Sequence, residues 1–422
     1  MGPQIELDVN SYAASERRAM AGLSNDHIRA FSPATFAFHG YPAAAESDAA
    51  VARFVDTMQE LNRPHWYHQT ELYSREEADL ITRVNSAVLA ETQRAFGRAI
   101  RPWMGPLVAT KPFRAIQAVA AAAGRERLRI FEIGPGSGYL GALLIAQGHE
   151  YYSTDIAQGF YLWQSRLMQA LAGEDFVEGV RYERWPYEAA GRAVHMPWWQ
   201  YATLYRDAPP SVDIVICDHA LGEMNPYALR YVAQMSKNML SESPLGLVMF
   251  TSIGEPRFNS EEAVRLNFNR VGLDCVVNRN VAVLAMTGRP LHRGIAALAD
   301  SIPRYNPSGT PERLRGRDFV PINRDEAPVS FEFYGFLGYD VPESAEDTGT
   351  PKVSGRGRTE DGELPGSAKM QRLAVEDVLR SPSTATRLRG VIGKTRQHGL
   401  GWLARRVVVS ALAHLPDETA TR

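Results

Sequence analysis

The segment from Leu128 to Gly141 constrains this chain more than any other part of its sequence. It reads Leu-Arg-Ile-Phe-Glu-Ile-Gly-Pro-Gly-Ser-Gly-Tyr-Leu-Gly, a short apolar run that ends at Glu132 and is followed by glycines at alternate positions. Glycine allows a tight turn and a close approach between the backbone and a ligand. The pattern predicts a strand, a glycine loop and a helix, with a nucleotide-type site at the carboxyl end of the first strand of an α/β sheet. The helix is indicated by apolar residues at helical spacing: Leu140, Leu143, Leu144 and Ile145.

Two cofactor classes compete for this loop. Residues 136–141 match the dinucleotide pattern G-x-G-x-x-G, which is a weak signal when it stands alone. In dinucleotide-binding proteins the helix N-terminus faces a pyrophosphate, which an acid two residues before the first glycine would repel. S-adenosylmethionine (SAM) carries a sulfonium, an ammonium group and ribose hydroxyls but no phosphate. Glu132 therefore favours SAM over NAD(P).

A second acid supports this interpretation. Residues 150–155 predict a second strand that ends in Asp155. This carboxylate lies about twenty residues after the glycine loop, where it would accept hydrogen bonds from both ribose hydroxyls. We expect the cofactor contacts to come from the two strand ends, the loop and one later acid: Glu132, Gly134, Pro135, Gly136, Ser137, Gly138, Asp155, Ile156 and Asp218.

With the E-x-G-x-G-x-G core and the downstream Asp155, the chain resembles the class I SAM-dependent methyltransferases. Two further motifs, His-x-Pro-Trp-Trp from His195 and Asp-His-Ala-Leu-Gly-Glu-Met from Asp218, make it similar to the bacterial sugar O-methyltransferase family. This resemblance extends roughly from residue 60 to residue 290 and leaves out the C-terminal part. It implies a Rossmann-like sheet, SAM as cofactor and a sugar hydroxyl as methyl acceptor.

Polar residues follow the apolar run 212–217, which is predicted to be a buried strand. Substrates of open α/β sheets lie beyond the carboxyl ends of the strands. His219 and Glu223 are four residues apart and would share one face of a helical turn. Because histidine is the usual base for a hydroxyl proton, we expect His219 to be the catalytic base. Glu223 would orient its ring or contact the acceptor, and Asp218 would lie nearest the methyl-transfer axis. A histidine after a strand also serves as a cap or structural residue, and that alternative stays open.

Aromatic residues cluster at 160–163, 184–187 and 195–201, and flat rings with polar rims suit the faces of sugars. The predicted acceptor contacts are His195, Trp198, Trp199 and, from the N-terminal part, His68. Each aromatic residue is at least as compatible with a role in the core. Asp218 and Glu223 do not form a tight acidic cluster, so no metal ion is expected.

The charge balance argues against general nucleic-acid binding. The 422 residues include 46 basic and 48 acidic side chains, whereas nucleic-acid-binding proteins normally show a basic excess. Cys217 and Cys275 lie in apolar runs and are expected to be reduced core thiols. Neither a secretory signal nor a transmembrane run is evident, so we expect a soluble cytoplasmic enzyme.

The predicted organisation has four parts: an N-terminal helical cap (1–124), a SAM-binding domain (125–340), a flexible linker (341–367) and a basic helical tail (368–422). Helices are predicted over 74–100, where Ser74 and Glu77 form a capping box, and over 112–123, 225–240 and 261–271. Strands are predicted over 128–133, 151–155, 177–182, 212–217 and 245–251, with another inside 275–286 and a last one from Ser330.

The tail carries only positive charges from 385 to 415, beside an apolar face. Such a helix can lie on an anionic membrane, and it can equally dock onto its own domain or a partner subunit. Docking is favoured by Gly393, Gly399 and Gly401, since each weakens a free helix by about 1 kcal/mol.

The sequence thus predicts a SAM-dependent O-methyltransferase with a sugar hydroxyl as acceptor. The alternatives are an NAD(P)-dependent oxidoreductase, a methyltransferase for a non-sugar small molecule, and a methyltransferase fold kept as a non-catalytic scaffold. The acceptor, the position methylated and the oligomeric state stay open.

Overall fold

An eight-stranded mixed sheet lies at the centre of the computed structural model, which describes residues 7–31, 44–56, 75–100, 105–187, 191–254, 258–278 and 282–290. The strands are β1 (Arg129–Ile133), β2 (Glu150–Asp155), β3 (Phe176–Glu178), β4 (Ala193–Pro197), β5 (Ile214–Ile216), β6 (Leu247–Phe250), β7 (Leu273–Asn278) and β8 (Ala282–Met286). Their order across the sheet is β3-β4-β2-β1-β5-β6-β8-β7.

The last two strands distinguish this sheet from a dinucleotide-binding one. The six strands from β3 to β6 pair in parallel, whereas β8 is antiparallel to both β6 and β7 and lies between them. The dinucleotide-binding fold has strand order 3-2-1-4-5-6 in a mostly parallel sheet. The sheet is instead mixed, with one reversed strand inserted next to its edge and helices packed on it. The predicted Rossmann-like α/β fold class is confirmed by this architecture.

The strand predictions hold for β1, β2, β5 and β6, with β5 shortened to three residues. Three others need correction. Strand β3 does not reach Tyr182, because a 3₁₀ turn (Gly179–Arg181) begins directly after Glu178. The sequence does not predict strand β4, because its residues 195–197 match the start of the aromatic substrate motif. The single strand expected inside 275–286 is the antiparallel pair β7 and β8.

Helices lie on both faces of the sheet. They are α1 (Val9–Met20), α2 (Asn25–Ala30), α3 (Asp48–Val51), α4 (Arg75–Phe96), α5 (Gly105–Ala122), α6 (Tyr139–Gln147), α7 (Gln158–Ala172), α8 (Trp198–Thr203), α9 (Pro226–Leu240) and α10 (Glu261–Arg270). The chain moves in one direction across the sheet through α6 and α7 and in the other through α9. Right-handed crossovers therefore place these two groups on opposite faces. The predicted helices 225–240 and 261–271 match α9 and α10.

Helices α4 and α5 pack against α6, and α4 also packs against α7. They thereby widen the helical layer on one face of the sheet. Helix α5 begins before the predicted residue 112 and contains Pro112 in its interior. Ser74, half of the predicted capping box, lies outside the described residues. A capping role of residues 1–124 over the cofactor site stays a prediction, and the predicted linker and tail lie outside the described part of the chain.

The N-terminal residues up to Val51 show no clear period in the sequence, yet they contain three helices. Helix α1 packs on α7 and α8, α2 packs on α9, and α3 packs on α7. Buried Glu16 on α1 accepts a hydrogen bond from Trp198 Nε1 at 2.8 Å. The Gln158 side chain accepts from Ala45 N at 3.0 Å and donates to Val9 O at 2.9 Å. Partners so distant in sequence leave no local pattern, so the sequence alone does not predict these helices.

None of the helices in the described part of the chain is long and apolar enough to cross a membrane. Both cysteines are free, Cys217 buried in the core and Cys275 partly buried.

Candidate functional site

The glycine loop after β1 turns through three left-handed residues. Gly134, Gly136 and Gly138 have φ angles of 68°, 59° and 75°, a region that side chains disfavour. Gly134 N donates to Thr154 O at 2.9 Å, which fastens the loop to β2. A Cβ added at Gly134 would lie 3.1 Å from Ala220 Cβ, so the segment after β5 packs directly on the loop. A Cβ at Gly136 would meet nothing within 4 Å, which leaves room for a ligand there.

Helix α7 holds the loop from the side of β2. Trp163 Nε1 donates to Ser137 O at 3.1 Å, and Gln164 Nε2 donates to Gly136 O at 2.6 Å. Both side chains are fully buried. The loop carbonyls are therefore satisfied by α7, and the loop is held in one conformation.

Asp155, at the end of β2, binds the glycine loop through its carboxylate. Its Oδ2 accepts from Gly136 N at 3.2 Å and from Gln164 Nε2 at 2.9 Å, and its Oδ1 accepts from Ala157 N at 3.0 Å. Burial raises the pKa of Asp155 to about 6, against the lowering effect of these donors. The structure thus brings the predicted acid at 155 into direct contact with the predicted glycine loop.

Glu132 lies at the end of β1, buried beside the loop. Its Oε2 accepts a hydrogen bond from Tyr151 OH at 2.5 Å. Burial raises the pKa of Glu132 to about 8, and Asp218 and Asp155 add repulsion in the same direction. Tyr151 reaches this carboxyl because Gly141 leaves space on α6, where a Cβ would collide with the Tyr151 ring.

Asp218 follows β5 and is fixed by the end of β6. Its carboxylate accepts from Thr251 N at 2.7 Å, from Thr251 Oγ1 at 2.6 Å and from Ser252 N at 3.1 Å. Burial alone would raise the pKa of Asp218, but hydrogen bonds with His219 and Thr251 outweigh it and lower the pKa below its usual value. This carboxylate stays ionised at neutral pH.

His219 has a left-handed backbone, with φ of 62°, which is uncommon for a residue with a side chain. Its N–H donates to Ser252 O at 2.9 Å, and its Nδ1 lies 3.2 Å from Asp218 Oδ2. The side chain is 41% exposed, so the ring lies at the solvent-facing edge of the site, beside the Asp218 carboxylate. A strained backbone that positions a titratable ring is typical of functional sites.

The prediction that one helical turn joins His219 and Glu223 is wrong. The left-handed conformation at His219 starts an irregular turn, and Glu223 follows in it with its N–H bonded to Ala220 O at 3.1 Å. Helix α9 begins only at Pro226, where Asn225 Oδ1 accepts from the Tyr227 and Ala228 N–H groups at 3.0 Å. Helical spacing therefore does not place the two side chains on one face.

The packing does not favour the predicted acceptor contacts. Trp198 is fully buried, and its Nε1 is occupied by Glu16; Trp199 is 6% exposed. His195 is fully buried on β4, where its ring stacks on Tyr161 at 3.8 Å and its Nδ1 lies 2.9 Å from Ser165 Oγ. These rings serve the core in the described structure, and no platform for a sugar is formed by them. His68 lies outside the described residues.

Several residues of the site were not identified from the sequence. Tyr151, Gln164 and Thr251 hold the three acids, and Gly254 allows the close passage of the His219 carbonyl. Of these residues, only Gly254 is indicated by the local sequence, because a glycine often occupies a position with a left-handed backbone. Among the described residues, no group of three or more His, Cys, Asp or Glu side chains could hold a metal ion.

No protein-family model and no curated protein matches the chain. Among solved structures, one similar chain is magnesium protoporphyrin IX methyltransferase from Synechocystis PCC 6803 with bound SAM, at 16% identity over 51% of this chain and 98% of that chain, with a TM-score of 0.29. A TehB-like SAM-dependent methyltransferase from Corynebacterium glutamicum matches at 16% identity over 43% of this chain and 100% of that one, with a TM-score of 0.28. The N-methyltransferase NodS from Bradyrhizobium japonicum matches at 14% identity over 42% and 96%, with a TM-score of 0.27. Similarity at this level does not bear on activity, and the fold assignment rests on the strand order of the sheet.

The raised pKa of Glu132 predicts a pH-dependent stability. The folded chain keeps a proton at Glu132 up to about pH 8, whereas the unfolded chain releases it near its usual value of 4.5. The contribution of this residue to folding is therefore full at low pH and is lost as pH rises through about 8. Glu132→Gln, which stays neutral, should gain stability relative to wild type between about pH 5.5 and about pH 8.5, as measured by urea unfolding. The exposed Glu174→Gln should show no such change. Parallel pH profiles for wild type and Glu132→Gln would contradict the assignment.

The contact between Gly254 and His219 predicts a position-specific cost. Gly254 and Gly288 have φ angles of 82° and 77°, but a Cβ at Gly254 would collide with the His219 carbonyl, whereas one at Gly288 would meet nothing within 4 Å. Both alanine variants should lose about 1–2 kcal/mol from the left-handed backbone. Gly254→Ala should lose about 1–3 kcal/mol more and shift the NMR signals of the His219 ring. Equal losses in the two variants would show that the contact is unimportant.

Proposed function

We propose that this chain is a SAM-dependent methyltransferase that transfers a methyl group to a hydroxyl, with a sugar of a glycoconjugate or glycosylated natural product as the acceptor class. One observation carries the choice of cofactor. The N–H of Gly136 is donated to the Asp155 carboxylate, and Glu132 lies buried beside the same loop. The loop therefore faces acids at the place where a dinucleotide requires free N–H donors for its pyrophosphate.

The residues present fit SAM. The open space above Gly136 provides a cradle that a side chain would fill, and Asp155 lies directly beside it with acceptor oxygens for ribose hydroxyls. Glu132 and the glycine loop would contact the amino-acid portion, whose ammonium would favour the ionised form of Glu132 over the protonated form that burial favours in the free chain. When bound, SAM supplies the electrophilic methyl group from its sulfonium. The reversed strand β8 also departs from the mostly parallel sheet of dinucleotide-binding folds, which argues against an NAD(P)-dependent oxidoreductase.

His219 is suited to take a proton from the acceptor. Its Nδ1 lies 3.2 Å from the Asp218 carboxylate, which can hold an N–H there and leave Nε2 unprotonated. Asp218 is itself fixed by Thr251 and Ser252, so the ring is oriented from β6. An imidazole so arranged can accept the hydroxyl proton as the acceptor oxygen attacks.

The acceptor class is supported at two levels. An aliphatic hydroxyl is a very weak acid, so a positioned base is more valuable for it than for a phenol or a thiol, and His219 beside Asp218 meets that need. The narrower choice of a sugar rests on the resemblance of the His195 and Asp218 motifs to the sugar O-methyltransferase family. Because the His195 motif is buried, a non-sugar alcohol stays the alternative acceptor.

The cofactor assignment is tested by isothermal titration calorimetry with S-adenosylhomocysteine and with NADH. We expect binding of the first and none of the second, and binding of NADH alone would overturn the proposal. Asp155→Asn should weaken S-adenosylhomocysteine binding by about tenfold or more, because a neutral amide lacks the charged acceptor for the ribose. Asp175→Asn, at an exposed acid near β3, should leave the affinity unchanged.

The catalytic assignment is tested by the release of S-adenosylhomocysteine from SAM in the presence of a panel of glycosides. His219→Ala should reduce turnover by about a hundredfold or more, the usual contribution of a general base, while the affinity for S-adenosylhomocysteine stays near wild type. Full turnover in the variant would refute the role of His219 as base. Normal cofactor binding by the wild type without turnover on any acceptor would instead favour a non-catalytic scaffold.

A further inference from the structure

The carboxamide of Gln164 joins the glycine loop to Asp155 from within α7. The side chain is fully buried, and its Nε2 donates to Gly136 O at 2.6 Å and to Asp155 Oδ2 at 2.9 Å. Its Cγ also packs on the loop, since a Cβ added at Gly138 would lie 3.0 Å from that carbon. One side chain thus fixes both the acid and the loop.

The orientation of this amide follows from its two partners, because both are acceptors. Reversing the amide would set Oε1 against a carbonyl oxygen and a carboxylate oxygen. Oε1 itself makes no hydrogen bond within the described residues. The two N–H groups are therefore what this amide contributes, and a methionine of similar volume would supply neither of them.

The strongest influences on the pKa of Asp155 are burial, which raises it, and hydrogen bonds from N–H donors, which lower it. The titratable groups that act on it are Glu132 on β1, Tyr151 on β2 and Tyr12 on α1, each neutral or negative. Burial raises the pKa of both tyrosines well above 10 and that of Glu132 to about 8, so Asp155 is the group expected to titrate near pH 6. The strongest stabilisation of its ionised form comes from N–H donors, namely backbone groups and Gln164.

We propose that Gln164 is a positioning residue that keeps Asp155 ionised and aimed at the cofactor's ribose while it seats the glycine loop, an inference that rests on the proposed function. Without the N–H groups of Gln164, fewer hydrogen bonds would oppose the effect of burial on the pKa of Asp155. The carboxyl would then hold its proton to higher pH. Cofactor affinity requires the ionised acid, so it would begin to fall at a higher pH than in wild type.

The test measures the affinity for S-adenosylhomocysteine by calorimetry from about pH 5 to about pH 8. Wild type should lose affinity below about pH 6, where Asp155 takes up a proton. In Gln164→Met this decline should begin about one pH unit higher, with about fivefold weaker binding near pH 6. Gln164→Glu, which adds a second carboxylate beside Asp155, should shift it further.

Gln169→Met is the matched control, because Gln169 lies on the same helix and donates to Gly173 O away from the loop. It should keep the wild-type profile. Uniform weakening of Gln164→Met at every pH would indicate a purely structural role and overturn the inference. If Gln164→Met does not fold, the profile of Gln164→Glu, which keeps the side-chain length, decides in the same way. Absence of any binding by wild type would instead refute the proposed function.

Discussion

The hydrogen bond from Gly136 N to Asp155 is the interaction on which the rest of the site depends. The glycine loop passes through three left-handed residues, and such a turn exposes N–H groups that require acceptors. Asp155 supplies one from β2, and α7 returns Gln164 to the same carboxylate. The strand, the loop and the crossover helix are therefore fixed by one buried group.

Three acids surround the loop, and their environments differ. Burial raises the pKa of Glu132 to about 8 and that of Asp155 to about 6, whereas hydrogen bonds from His219 and Thr251 keep that of Asp218 below its usual value. At neutral pH they therefore differ in protonation although all three are carboxyls at strand ends. Only Asp218 is paired with a histidine, which suits it to orient a base.

The glycine loop, the acids at the ends of β1 and β2 and after β5, and most of the sheet can be predicted from the sequence, because each depends on a local pattern. Strand β4 is not predicted, because its His195 and the tryptophans that follow it have the composition of a binding motif until their buried neighbours are known. Tyr151, Gln164 and Thr251 could not be predicted, since each acts on a residue distant in sequence. The left-handed backbone of His219 likewise depends on Gly254, which only the fold brings beside it.

The loop that carries His219 is tied to the segment after β6 by backbone hydrogen bonds, in addition to the side-chain hydrogen bonds of Asp218 and Asn259. His219 N donates to Ser252 O, Gly222 N donates to Ile253 O, and Phe258 N donates to Gly222 O. Backbone bonds of this kind do not depend on side-chain identity, so side chains on both segments can be exchanged while these bonds persist. Under the proposed function, a change of acceptor during evolution could therefore occur by exchanging side chains on this frame or by altering other segments. The His219 backbone would keep its place through such a change.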